Sequence, residues 1–112
     1  MYFVEKTFEI ASAHKLNLDY SSKCKNLHGH NFKITVYCKS NTLNKNGMVF
    51  DFKTIKDLVS DKFDHAYLNE IMSNINPTAE NLAKYICCLI GETCWKVDVY
   101  ESAGNKASYI RD

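Results

Sequence analysis

Four histidines are present in the sequence, and three of them, His14, His28 and His30, fall where two neighbouring strands would gather them. His28 and His30 are two apart, so on a strand they point to one face together with Phe32, Ile34 and Val36. If a first strand ends near His14 and a second begins at His28, antiparallel pairing sets that end beside that start. His14 shares parity with Phe8 and Ile10, so the three imidazoles converge at one end of an apolar surface. Three neutral imidazoles with no fourth protein ligand suit a catalytic zinc, whose open position receives substrate or water. A His-x-His pair alone more often marks ordinary hydrogen-bonded residues. His14 in phase and Cys24 close by turn the reading toward a metal.

Cys24 lies in Cys24-Lys25-Asn26-Leu27-His28-Gly29-His30, in the loop joining the two strand ends, where a thiol would hang near the metal. A nearby cation favours the thiolate, the form that serves as base or nucleophile. The same placement also allows Cys24 to be a fourth ligand that closes the site, and spacing does not separate the two. Asp64-His65 is a carboxylate and imidazole pair of the kind that orients a proton carrier; the plain alternative is a charged helix end. Glu101 continues the parity of Trp95, Val97 and Val99. It is therefore either a carboxylate at the end of an apolar strand face, able to accept paired hydrogen bonds from a planar N–H/NH₂ edge, or a solvated residue beyond the strand.

The elements that must position these groups show in the periodicity. Tyr2 to His14 and His28 to Cys38 alternate as strands. Asn46-Gly47 has turn chemistry, and a short extended stretch from Met48 to Phe50 is expected after it. Asp51 reads as the N-cap of a helix carrying Phe52, Ile55, Leu58, Val59 and Phe63. A second helix starts near Pro77-Thr78-Ala79-Glu80 and ends by Gly91. Trp95 to Val99 is another strand, and Ala107 to Arg111 a last one after a Gly104-Asn105 turn. This order predicts an α+β fold, a four-stranded antiparallel sheet with two helices packed on one face.

At 112 residues the protein is expected to form one domain over 1–112. Fourteen basic against thirteen acidic residues, with no run of like charge, argue against a nucleic-acid partner. No apolar run approaches the roughly 20 residues that span a bilayer, and the N-terminal residues alternate rather than forming a signal block, so neither a membrane nor export is expected and the cytoplasm is. Five cysteines without a Cys-x-x-Cys pair fit a reducing compartment; Cys38, Cys87, Cys88 and Cys94 read as small buried hydrophobes.

Cys-x-x-x-His-Gly-His, the upstream Ala13-His14, Gly47-Met48-Val49-Phe50-Asp51-Phe52, Asp64-His65-Ala66-Tyr67-Leu68-Asn69, Pro77-Thr78-Ala79-Glu80-Asn81 and Glu101 occur in this order. Along nearly its whole length the protein resembles the 6-pyruvoyltetrahydropterin synthase and 6-carboxytetrahydropterin synthase family. The resemblance implies the tunnelling fold, in which subunits join their sheets into a barrel, commonly as a pair of trimers making a hexamer, with active sites between subunits. It also implies zinc on His14, His28 and His30, Cys24 as general base, Asp64 and His65 completing a proton relay, and Glu101 anchoring the pterin ring. The implied substrate is dihydroneopterin triphosphate: zinc acidifies a C–H bond of its side arm, the thiolate removes the proton, and triphosphate leaves.

The short loops look more like the bacterial carboxy-forming enzymes of queuosine synthesis, which also release acetaldehyde. Pyruvoyl formation, a non-catalytic zinc or pterin binding protein, and an aldolase-type cleavage to a hydroxymethyl pterin remain alternatives. A branch with glutamate near the cysteine's position is disfavoured, because Lys23 and Lys25 stand there. Lys15, Lys23 and Lys25 are the candidates for triphosphate contacts.

Overall fold

A computed structural model describes all 112 residues. β1 (Tyr2–His14) and β2 (His28–Ser40) pair antiparallel over their full length, from Tyr2 opposite Ser40 to His14 opposite His28. β2 pairs on its other side with β4 (Cys94–Ser102), which forms a hairpin with β5 (Asn105–Ile110). Even positions of the long pair turn inward: Phe8, Ile10, Ser12 and His14 from β1, and Phe32, Ile34, Val36 and Cys38 from β2, are buried. Val97 and Val99 continue that layer from β4.

α1 (Phe52–Phe63) and α3 (Ala79–Ile90) cover it. Asp51 caps α1 by accepting from the Lys53 N–H at 2.8 Å, and Thr78 caps α3 by accepting from the Asn81 N–H at 3.2 Å. α1 presents Ile55, Val59 and Phe63 to the sheet, while Phe52 and Leu58 stay largely exposed. α3 presents Leu82, Ala83, Ile86, Cys87 and Ile90 and stops at Gly91, whose φ of +109° suits a residue without a Cβ. Each fully buried Ile, Leu, Val or Phe stabilises this layer by about 1.5–3 kcal/mol.

Two expectations about the architecture need correction. The sheet has five strands in the order β3-β1-β2-β4-β5 and is mixed, because β3 (Ala66–Tyr67) runs parallel to β1 beside Ser12 and Ala13. A third helix, α2 (Leu68–Ile71), follows it. Both arise where α1 ends: His65 takes a positive φ of 55°, donates its N–H to the Ala11 carbonyl at 2.6 Å, and so lays the next residues along the strand. Two residues of strand and one helical turn are too short to show a period.

Smaller corrections concern the loops. Met48 to Phe50 forms no strand, and Val49 and Phe50 are bent. Asn44 closes this loop instead, with its N–H donating to the Met48 carbonyl and its side-chain oxygen accepting from Asn46 and Met48. Only Gly47 in that turn has positive φ. Cys38, Cys87 and Cys94 are buried, but Cys88 is exposed, since one residue's rotation along α3 carries it off the buried stripe. No helix is long and apolar enough to cross a membrane.

Candidate metal centre

The antiparallel register sets His14 directly opposite His28, with His30 opposite Ser12. All three side chains lie on the inward face, and their ring centroids stand 4.5, 4.9 and 5.2 Å apart. Phe32 forms the floor, edge-on to His14 at 5.6 Å and to His30 at 5.4 Å. His14 Nδ1–H donates to the Pro77 carbonyl at 2.8 Å, and His28 Nδ1–H to the Asn26 carbonyl at 2.7 Å. These bonds fix the tautomers and leave lone pairs on the two Nε2 atoms. Nε2 of His14, His28 and His30 are all buried without a hydrogen-bond partner, and the donor atoms of the three residues lie within 4.8 Å of one another. Buried polar atoms left unpaired are costly. Three of them converging on one point fit a divalent cation that accepts imidazole ligands.

Burial is the main reason that the His14 pKa is lowered. Its neighbours His28 and His30 add to the effect, while the Pro77 hydrogen bond and Glu101 oppose it. His14 is therefore held neutral, the form that ligates.

Glu101 falls inside β4 and is about one quarter exposed. Its Oε1 lies 3.3 Å from His30 Nε2 and its Oε2 4.0 Å from His14 Nε2. The shorter contact has the distance but not the direction of a hydrogen bond, so the imidazole nitrogens remain unpaired.

Cys24 sits in a single 3₁₀ turn, Lys23–Lys25, capped by the Ser22 hydroxyl, which accepts from the Cys24 N–H at 3.1 Å. The Cys24 carbonyl accepts from the Leu16 N–H at 2.8 Å, which ties the turn to the end of β1. The Cys24 thiol is not one of the grouped donors.

Asp64 and His65 are joined, Oδ2 to Nδ1 at 3.2 Å, and Asp64 Oδ1 accepts from the Ala11 N–H at 2.8 Å. That backbone bond is the main reason the Asp64 carboxyl titrates below its usual range. His65 is highly exposed and borders a cavity of about 500 Å³ lined mostly by outward-parity residues, Ala11, Ala13, Gly29 and Asn31, together with Ser12 and His30 of the inward parity. No hydrogen bond or ion pair within the chain joins Asp64 or His65 to Cys24 or to the three histidines. Lys15 and Lys25 border a smaller cavity together with Asn17 and Asn69; Lys23 does not.

The family model described as 6-pyruvoyl tetrahydropterin synthase matches residues 3–112. The chain belongs to the 6-pyruvoyl tetrahydropterin synthase family. A relative from Synechocystis sp., named 6-carboxy-5,6,7,8-tetrahydropterin synthase, is 34% identical over 98% of this chain and 94% of its own. The 6-pyruvoyl tetrahydropterin synthase structure from Caenorhabditis elegans superposes with a TM-score of 0.79 at 25% identity, over 99% of this chain and 96% of that one. The Plasmodium vivax 6-pyruvoyltetrahydropterin synthase shares the fold, with a TM-score of 0.68 at 18% identity over 100% and 99% of the two proteins. As a member of this enzyme family the protein has a tetrahydropterin synthase-type activity.

Within this 6-pyruvoyl tetrahydropterin synthase family member, three positioning residues were not singled out from the sequence. Asn69 accepts from the Lys15 N–H and donates to the Lys15 carbonyl, both at 2.9 Å. Asn76 does the same to Asn17, at 2.9 and 3.0 Å. The two amides latch the loop that bears Cys24. The third is Pro77, whose carbonyl orients His14. Asn69 and Pro77 belong to the ordered segments that carried the resemblance, but side-chain amides that imitate strand pairing leave no periodic signal.

Proposed function

We propose that this protein is a zinc-dependent lyase that converts 7,8-dihydroneopterin triphosphate to 6-carboxy-5,6,7,8-tetrahydropterin, with release of triphosphate and acetaldehyde, in the route to queuosine. The observation that carries this reading is the set of three inward, unpaired Nε2 atoms with a separate thiol on the adjoining loop. The relative from Synechocystis, similar along almost the whole length, supports the carboxy-forming product.

His14, His28 and His30 would hold the zinc, His14 oriented through the Pro77 carbonyl and His28 through the Asn26 carbonyl. Zinc bound there supplies a Lewis acid toward substrate oxygens. Cys24 takes the proton from the substrate's side arm as thiolate. Glu101 accepts hydrogen bonds from the N–H/NH₂ edge of the pterin, and Lys15 and Lys25, which border one cavity, face the triphosphate. Asp64 orients His65, which returns protons. Because the subunit makes no contact between this pair and Cys24, we assign the pair to the site of a neighbouring subunit in a homo-oligomer, a pair of trimers acting in the cytoplasm.

A second reading, a 6-pyruvoyl product from the same substrate, is favoured by the family description and by the likeness to the C. elegans enzyme. It uses the same residues and differs only in product.

The variants Cys24→Ala and His28→Ala test the assignment. Cys24→Ala should keep zinc and lose turnover, and His28→Ala should lose both. Mixing inactive Cys24→Ala with inactive His65→Ala protein, unfolded and refolded together, should restore part of the activity. Equal zinc loss in Cys24→Ala and His28→Ala would make Cys24 a ligand, and no recovery in the mixture would place the relay within one subunit.

A further inference from the structure

We propose that Glu101 is the fourth ligand of the metal while no substrate is bound, and that it gives up this position when substrate enters. The inference rests on reading the three histidines as a metal site. It assigns Glu101 a contact with the metal in addition to the pterin-binding role above.

A tautomer supplies the first reason. His14 spends its Nδ1 proton on the Pro77 carbonyl, so its Nε2 presents a lone pair toward Glu101 Oε2, 4.0 Å away. A carboxylate turned toward lone pairs is repelled unless a cation lies between them. Distance supplies the second. Donors at adjacent corners of a tetrahedron with bonds of about 2.0–2.2 Å stand about 3.3–3.5 Å apart, and Glu101 Oε1 is 3.3 Å from His30 Nε2. The 4.0 Å separation from His14 Nε2 is wider than that edge. A small rotation of the Glu101 side chain, itself about one quarter exposed, would close it.

The third reason is the absence of any competing partner. Asp98, three residues earlier on β4, accepts hydrogen bonds from Tyr37 and Ser108, and Asp64 accepts from Ala11. The Glu101 carboxylate accepts no hydrogen bond from the protein, and the titratable nitrogens within 4.0 Å of it are the Nε2 atoms of the two imidazoles. The three histidines form the compact donor group without Cys24 or Glu101, but Glu101 brings its two carboxylate oxygens to 3.3 and 4.0 Å from two of the imidazole nitrogens.

The consequence is a coupling between recognition and reactivity. Three imidazoles and a carboxylate close the coordination sphere, and a planar N–H/NH₂ edge that draws Glu101 away reopens it. A ligand offering oxygens to the metal but no such donor edge would meet a closed site.

Cobalt(II) loading tests this, with visible absorption and chelator competition as readouts, on the full-length protein and the variants Glu101→Gln, Glu101→Asp and His28→Ala. Glu101→Gln should bind cobalt about 10- to 100-fold more weakly and show shifted ligand-field bands. Glu101→Asp, which keeps a carboxylate, should lie between it and the native protein. Neopterin added to the native cobalt protein should move its bands toward those of Glu101→Gln. Native-like bands and affinity in a folded Glu101→Gln protein would overturn the proposal and leave the histidine site standing. If the native protein takes up no cobalt, or His28→Ala binds it as tightly, the histidine site itself fails and the proposal with it.

Discussion

Replacing Phe32 by alanine should cost the metal-free protein about 3–5 kcal/mol, the range for removing a fully buried phenylalanine. Phe32 has no exposed surface and stands beneath two of the three imidazoles, edge-on to His14 and tilted 72° to His30. Of that loss, about 0.5–1.5 kcal/mol per ring pair comes from the aromatic geometry, and the remainder from lost burial and the cavity left behind. A domain of this kind has roughly 5–15 kcal/mol of total stability, so the variant should still fold in the cold but unfold at a much lower urea concentration. Urea titration of chelator-treated protein, followed by circular dichroism, should show the midpoint fall with little change in slope. Phe3→Ala, at a position 63% exposed on the same strand pair, should stay within about 0.5 kcal/mol. A Phe32→Ala loss below about 1 kcal/mol would refute the view that this ring supports the site.

Three further outcomes are expected. The metal-free protein should lose stability on acidification: burial lowers the His14 pKa in the fold, so the unfolded state takes up the proton first. This contribution is complete above about pH 6.5 and disappears as pH falls from there through the folded value, and urea midpoints across that window should flatten in His14→Gln. Tyr37 should ionise only at about 12, because of burial and then its 2.8 Å hydrogen bond to Asp98; an ultraviolet difference titration against Tyr37→Phe measures it, and ionisation near the ordinary value of about 10 would count against the pairing. Asn69→Ala removes two hydrogen bonds to Lys15, worth together about 1–3 kcal/mol. Hydrogen exchange at the Leu16 amide should quicken while zinc content stays unchanged, and native exchange would mean that the latch is not needed.

The candidate metal site was legible because its geometry follows from strand parity alone. Once β1 ends at His14 and β2 begins at His28, a period of two and antiparallel pairing leave the imidazoles nowhere else to go. The long elements were legible for the same reason, as were the caps at Asp51 and Thr78, which depend on side-chain chemistry within a few residues. β3 and α2 were hidden because they follow from one left-handed residue, His65, and its bond to Ala11, a contact between residues distant in sequence. The asparagine latches and the Pro77 carbonyl were hidden likewise, since each joins a loop to another far along the sequence. The parity of Glu101 indicated a carboxylate at the end of the strand face, but only the three-dimensional arrangement brought it against His30.

The central claim is the reaction, and its most direct test is mass spectrometry of the products formed from dihydroneopterin triphosphate by the zinc-loaded protein, run beside Cys24→Ala. A 6-carboxytetrahydropterin peak with acetaldehyde, absent in the variant, is the predicted result. Unchanged substrate at full zinc occupancy, or a hydroxymethyl pterin with glycolaldehyde, would contradict it.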